Sequence, residues 1–141
     1  MAKNAQWDDR SKVGTCIWSH LYQNISNESV YNCVWDHAPP GQSGGAYHES
    51  EINYVSNDLY DTTDLPKTAE DYKFDKAMNG FWIKFIETGN PDGDGLVQWD
   101  VGGDEKVVQR VGIALEAVLI ATYARFELFG KWFVAENQTY R

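Results

Sequence analysis

The chain has 141 residues, one domain's length, with a net charge of −9 and a pI near 4.6. That charge excludes a nucleic-acid partner and an anionic membrane surface, both of which need a basic face. With 43% hydrophobic and 14% aromatic residues it is too apolar for a disordered chain, yet it lacks an apolar run long enough to span a bilayer.

The first ten residues are polar and charged, so no signal peptide is expected within the chain as given. Over 11–26 a helix or broken helix is expected, because Val13, Ile17, Leu21 and Ile25 recur every four residues with Trp18 and Tyr22 beside them. Three N-x-[ST] sequons, at Asn24, Asn27 and Asn137, are candidate glycosylation sites and point to a secretory history. Cys16 and Cys33 allow one disulfide, but Cys33, in an apolar run, reads in the first place as a buried free thiol.

The run Val30–Trp35 is apolar on both faces apart from Asn32, which predicts a buried parallel strand. Pro39-Pro40 ends it, and a Gly/Ser-rich loop follows. The spacing predicts a helix over 69–88. Thr68 and Asp71 are placed for a capping box, Met78, Phe81, Trp82, Phe85 and Ile86 for one buried face, and Gly89-Asn90-Pro91 for the stop. A turn over 90–95 leads into Leu96–Trp99, 106–111 alternates as a strand would, and a last helix over 123–136 carries Phe126, Phe129 and Phe133 on one face. The pattern is α/β. One parallel-type strand with few neighbours implies that part of its sheet comes from elsewhere.

Two literal motif matches fail on context. Gly41-Gln42-Ser43-Gly44-Gly45 fits the G-x-S-x-G elbow, but prolines precede it and no helix follows at once, so it reads as a loop. Asn90–Gly95 resembles a calcium loop, but the twelfth position is Val101 where a bidentate Glu is required. None of the three histidines has metal-ligand spacing, so neither metal nor cofactor is implied. His20 reads as a surface residue and His37 as structural. His48 lies in a loop beyond a strand's carboxyl end, where α/β proteins place catalytic groups.

The stretch Trp35–Gln42 followed by Gly45-Ala46-Tyr47-His48-Glu49-Ser50-Glu51-Ile52-Asn53-Tyr54-Val55 resembles the histidine segment of fungal type B carboxylesterases, the cholinesterase-like branch of the α/β-hydrolases. Met78–Phe85, Thr88-Gly89-Asn90-Pro91 and Glu127–Phe133 resemble the family's later helices, so the similarity runs from about Trp18 to the end. The resemblance implies that residues 1–141 are the incomplete C-terminal part of an α/β-hydrolase domain acting on carboxylic esters. It implies His48 as the general base of a Ser–His–Glu/Asp triad, and Glu51 as a residue that fixes the loop. The nucleophile, acid and oxyanion hole would lie in a missing N-terminal part, so the chain alone is expected to be inactive. The parent family is secreted. The sequence departs from the family pattern at Glu49, where glycine is usual, and at Ser56. Two other readings stand beside this one. One is a non-catalytic cholinesterase-like interaction protein; the other, suggested by six Trp and eight Tyr, is a carbohydrate-binding module.

Overall fold

The computed structural model describes residues 2–41, 45–59, 66–102, 106–112 and 114–139, with side chains from Asp9 to Glu136. The elements in chain order are α1 (Ala2–Ser26), β1 (Cys33–Trp35), α2 (Ile52–Val55), α3 (Ala69–Thr88), β2 (Val107–Val111), β3 (Leu115–Leu119) and α4 (Tyr123–Thr139). This is a mixed helix and strand fold with one three-stranded sheet in the order β1-β2-β3. β1 runs parallel to β2, pairing Cys33 with Gln109, Val34 with Arg110 and Trp35 with Val111. The connection from β2 to β3 is only three residues long, which fits a hairpin and is too short for a parallel crossover.

The chain divides into two compact units. The first comprises residues 1–32, 100–108 and 117–141. Here α1 packs on α4. α1 buries Val13, Cys16 and Ser19, one residue per turn on a narrow stripe. Gly14 allows the ring of Phe133 to approach the α1 backbone, since a β-carbon there would lie 3.1 Å from it. Phe126, Phe129 and Phe133 are half-buried along one face of α4, as their spacing predicts. Lys106 lies over the rings of Tyr123 and Phe126, and Arg10 over Trp132. Ser19 donates to Asn32 Oδ1 at 3.0 Å, which ties the helix to the segment leading into β1.

The second unit comprises residues 33–99 and 109–116. Its core is Tyr54, Leu59, Phe74, Met78 and Val111, with Trp35, Val55, Trp82 and Leu115 packed around it. α2 lies on α3. α3 begins at the expected capping box, with Thr68 Oγ1 accepting from Asp71 N–H and Asp71 accepting from Thr68 N–H. It ends at Gly89, whose φ of 75° is the left-handed conformation open to glycine. The turn after it folds back on the helix. Asp92 N–H donates to Asn90 Oδ1, Trp99 N–H donates to Asp92 Oδ1, and Trp99 meets Phe81 edge to face at 5.0 Å.

Several expectations need correction. α1 starts nine residues before the predicted helix, and its large apolar residues do not form its buried face: Trp18, Leu21 and Tyr22 are exposed and Ile25 is 86% exposed. β1 is shorter than the 30–35 run and is not buried on both faces, because it is an edge strand paired on one side only, with Cys33 exposed. On α3 the buried stripe is Asp71, Phe74, Asp75, Ala77, Met78 and Phe81, while Phe85 and Ile86 face outward. Cys16 and Cys33 are both thiols. α2 and β3 were not anticipated. α2 is a single turn, and Leu115–Leu119 has no strict alternation to mark it as a strand.

Candidate active site

The site is built at the carboxyl end of β1. There Asp36 N–H continues the ladder to the Val111 carbonyl at 3.1 Å, and Arg110 Nε pairs with Asp36 Oδ2 at 2.5 Å. The same guanidinium reaches Glu116 at 3.3 Å, and these two carboxylates, Asp36 foremost, raise its pKa further. Gly112 presses its backbone against Asp36 and His37, where no β-carbon has room. The next residue, His37, turns inward. Its Nε2–H donates to Asp71 Oδ1 at 2.7 Å, and its ring packs among Trp35, Tyr54 and Phe74. His37 therefore has the structural role read from the sequence.

Residues 38–41 leave this anchor, and residues 45–53 lead back to it. Gln42, Ser43 and Gly44, the centre of the G-x-S-x-G match, lie outside the described residues. His48 occupies a turn closed by Ser50 N–H on the Tyr47 carbonyl at 3.1 Å, with Ile52 N–H on the Glu49 carbonyl at 3.2 Å. Its side chain is 94% exposed, and Glu49 Oε1 lies 3.7 Å from its Nε2. Glu49 has a φ of 72°. Glu49 is the third residue of this turn, and with positive φ there the turn is of the kind that suits glycine and strains Glu49. Glu51 stands at the start of α2 and is half-buried; its carbonyl accepts from Val55 N–H, and its side chain does not cap the helix.

The return leg is held by Ser50 and Tyr54. Trp35 Nε1–H donates to Ser50 Oγ at 2.8 Å, and Tyr54 O–H donates to Asp71 Oδ1 at 2.7 Å. The other oxygen of Asp71 accepts from Thr68 N–H and Thr68 O–H, both at 2.6 Å. Burial opposes ionisation of Asp71, but the hydrogen bonds from Thr68, His37 and Tyr54 outweigh it and bring the carboxyl down to about 2. Burial and the bond to Asp71 together raise the Tyr54 phenol. One turn along α3, Asp75 is buried with Oδ1 lacking a hydrogen bond among the described residues, and burial followed by the charge of Asp58 raises its pKa.

The sequence located Asp71 as a helix cap but not as the acceptor shared by His37 and Tyr54. A signal was present: Asp71 lies three and seven residues before Phe74 and Met78, which puts a carboxylate on the apolar stripe. His20 belongs to the first unit and His48 to the second. His20 is exposed on α1, where Asn24 Nδ2 lies 3.0 Å from its Nε2. Asn24 and Asn27 are exposed, while the side chain of Asn137 lies outside the described residues. Among the described residues no cluster of His, Cys, Asp and Glu is arranged to hold a metal, and no helix is long and apolar enough to cross a membrane.

Among solved structures, the chain is similar to the carboxylesterase EST55 of Geobacillus stearothermophilus, with a TM-score of 0.60 and 20% identity. The match covers 75% of this chain and 22% of the bacterial one, so the chain corresponds to a fragment of that α/β-hydrolase fold. A comparison with curated proteins returned no match. The model of the carboxylesterase family matches residues 5–123, which takes in both anchored legs of the His48 segment and all of α3. By that match the chain belongs to the carboxylesterase family.

Proposed function

We propose that this chain is the C-terminal part of a carboxylic ester hydrolase and supplies its general base, His48. The observation that carries the reading is the position of His48 within the matched family region. It stands at the tip of a turn beyond the carboxyl end of a parallel strand, fully open to a substrate or a nucleophile. A neutral imidazole there accepts the proton of a serine hydroxyl as the serine attacks the ester carbonyl, then returns it to the departing alcohol. The serine, the triad acid and the oxyanion hole belong to a missing N-terminal part of the same domain. Glu51, at the start of α2, fixes the turn from below. The whole enzyme follows the secretory route, with Asn24, Asn27 and Asn137 as glycosylation sites.

The test is ester turnover by this chain complemented with, or fused to, the N-terminal part of a family member. His48→Ala should lower kcat/KM by about 10³ or more, whereas His20→Ala should leave it unchanged. Equal turnover with and without His48 would overturn the assignment. It would favour the non-catalytic interaction protein, a reading to which the strained Glu49 beside His48 lends weight. The carbohydrate-binding alternative has less support, since Trp99 is spent on core contacts with Phe81 and Trp82.

A further inference from the structure

We propose that Asp71 is a positioning residue, which fixes both flanks of the His48 segment on a single buried carboxylate oxygen. This inference rests on the general-base reading of His48. His37 precedes His48 by 11 residues and Tyr54 follows it by six, yet both donate to Asp71 Oδ1 at 2.7 Å. The two legs of the segment are thereby brought to one point. Asp71 is fully buried, and its side chain comes from α3, a helix of 20 residues. The point is therefore referenced to a rigid element and not to another loop.

The division of labour within the carboxylate is clean. Oδ2 takes the two donors of Thr68 and starts the helix; Oδ1 takes His37 and Tyr54 and closes the loop. A carboxylate offers about four acceptor sites, and all four are used, which is why an ionised group is tolerated with no solvent contact. The rings reinforce the closure: Trp35 and Tyr54 lie 4.8 Å apart between centroids, and His37 and Phe74 4.9 Å. The Trp35 to Ser50 bond adds a second tie closer to His48. A general base acts only when held within reach of its proton donor, and a one-ångström error in such a group is enough to lose most of its effect. The hub supplies that restraint for a histidine whose own side chain makes little contact with the chain.

Because the two oxygens have separate duties, helix capping and loop closure can be separated by mutation. The experiment is amide hydrogen exchange on the full 141-residue chain, read at residues 45–51 and, separately, in the middle of α3. Tyr54→Phe and His37→Gln perturb the Oδ1 side, and Thr68→Ala the Oδ2 side. Tyr54→Phe should accelerate exchange at 45–51 by about tenfold while leaving mid-α3 nearly unchanged, as expected for local opening after one buried hydrogen bond is lost. Thr68→Ala should show the reverse pattern. Asp71→Asn, which keeps one oxygen for His37 and Tyr54, should protect 45–51 better than Asp71→Ala. A uniform increase over loop and helix in every variant would mean that Asp71 is merely a core residue, and would overturn the proposal. This readout does not depend on turnover, so it stands or falls apart from the role of His48. In the complemented enzyme Tyr54→Phe should lower kcat with KM unchanged; a change confined to KM would also count against it.

Discussion

Glu49 is the residue whose backbone and identity disagree. Its φ of 72° is left-handed, which costs a side-chain-bearing residue about 1 kcal/mol relative to glycine. Glu49→Gly should therefore leave stability unchanged or raise it by up to ~1 kcal/mol, the outcome depending on how far glycine's greater unfolded-state freedom offsets the relief. A urea titration checks it, and a clear loss of stability would show that the Glu49 side chain does more than approach His48. The sequence identified Glu49 as a departure, but the strain is a backbone property that only the turn reveals. Asp71 makes a second prediction. Its carboxyl falls from the ordinary 3.8 to about 2 in the fold, so its contribution is fully present above pH 4 and is lost as the pH drops toward 2. The shift corresponds to about 2 kcal/mol, which Asp71→Asn should remove from the acid limb of a stability-against-pH curve. Asp75 works in the opposite sense, since its raised pKa makes the fold more tolerant of protonation there. Acid unfolding should therefore be gentler than Asp71 alone would give.

Among the elements, α3 was the most legible. Its cap, its length and its glycine stop are local signals, and all three stand where the sequence places them. Its buried face was only half legible, because periodicity fixes a stripe and not which end of the stripe the rest of the chain covers. Phe85 and Ile86 continue the pattern of Met78 and Phe81 into solvent. β1 illustrates a different limit: apolar character on both faces predicted the parallel pairing, but how many strands flank it is a property of partners. The hairpin from β2 to β3 depends on Gly112, whose φ of 153° and close approach to Asp36 and His37 both exclude a side chain. Gly112→Ala should destabilise the chain by about 2 kcal/mol or more, since either the hairpin or the start of the His48 segment must shift. Thermal melting of the variant checks this, and an unchanged midpoint would show that the approach is readily relaxed.

On the scale of the whole chain, large apolar side chains stand exposed on three helices. Trp18, Leu21 and Ile25 on α1, Ile83, Phe85 and Ile86 on α3, and Leu128 and Val134 on α4 are all exposed. Under the proposed reading, in which the chain is part of a longer hydrolase, the remainder of that domain would cover such faces. The purified chain should bind ANS and self-associate in spite of its charge of −9, with dimer or larger species growing with concentration in analytical ultracentrifugation. A clean monomer with a sharp cooperative melt would show that these faces are stable in water as they are. The proposed site was legible only in part for a related reason. His48 and its loop are local in sequence, whereas a triad of the kind proposed is assembled from segments far apart.

The packing of α1 on α4 joins the first unit's opening segment to its last one. On the ribosome those partners are synthesised about a hundred residues apart. α1 emerges well before α4 and must wait for about a hundred residues of later chain before Phe126, Phe129 and Phe133 reach it. Throughout that interval its stripe of Val13, Cys16 and Ser19 has no α4 to lie against, while the second unit, most of it one continuous stretch, can already fold. Birth order thus leaves α1 waiting far longer for its partner than α2, which α3 follows closely.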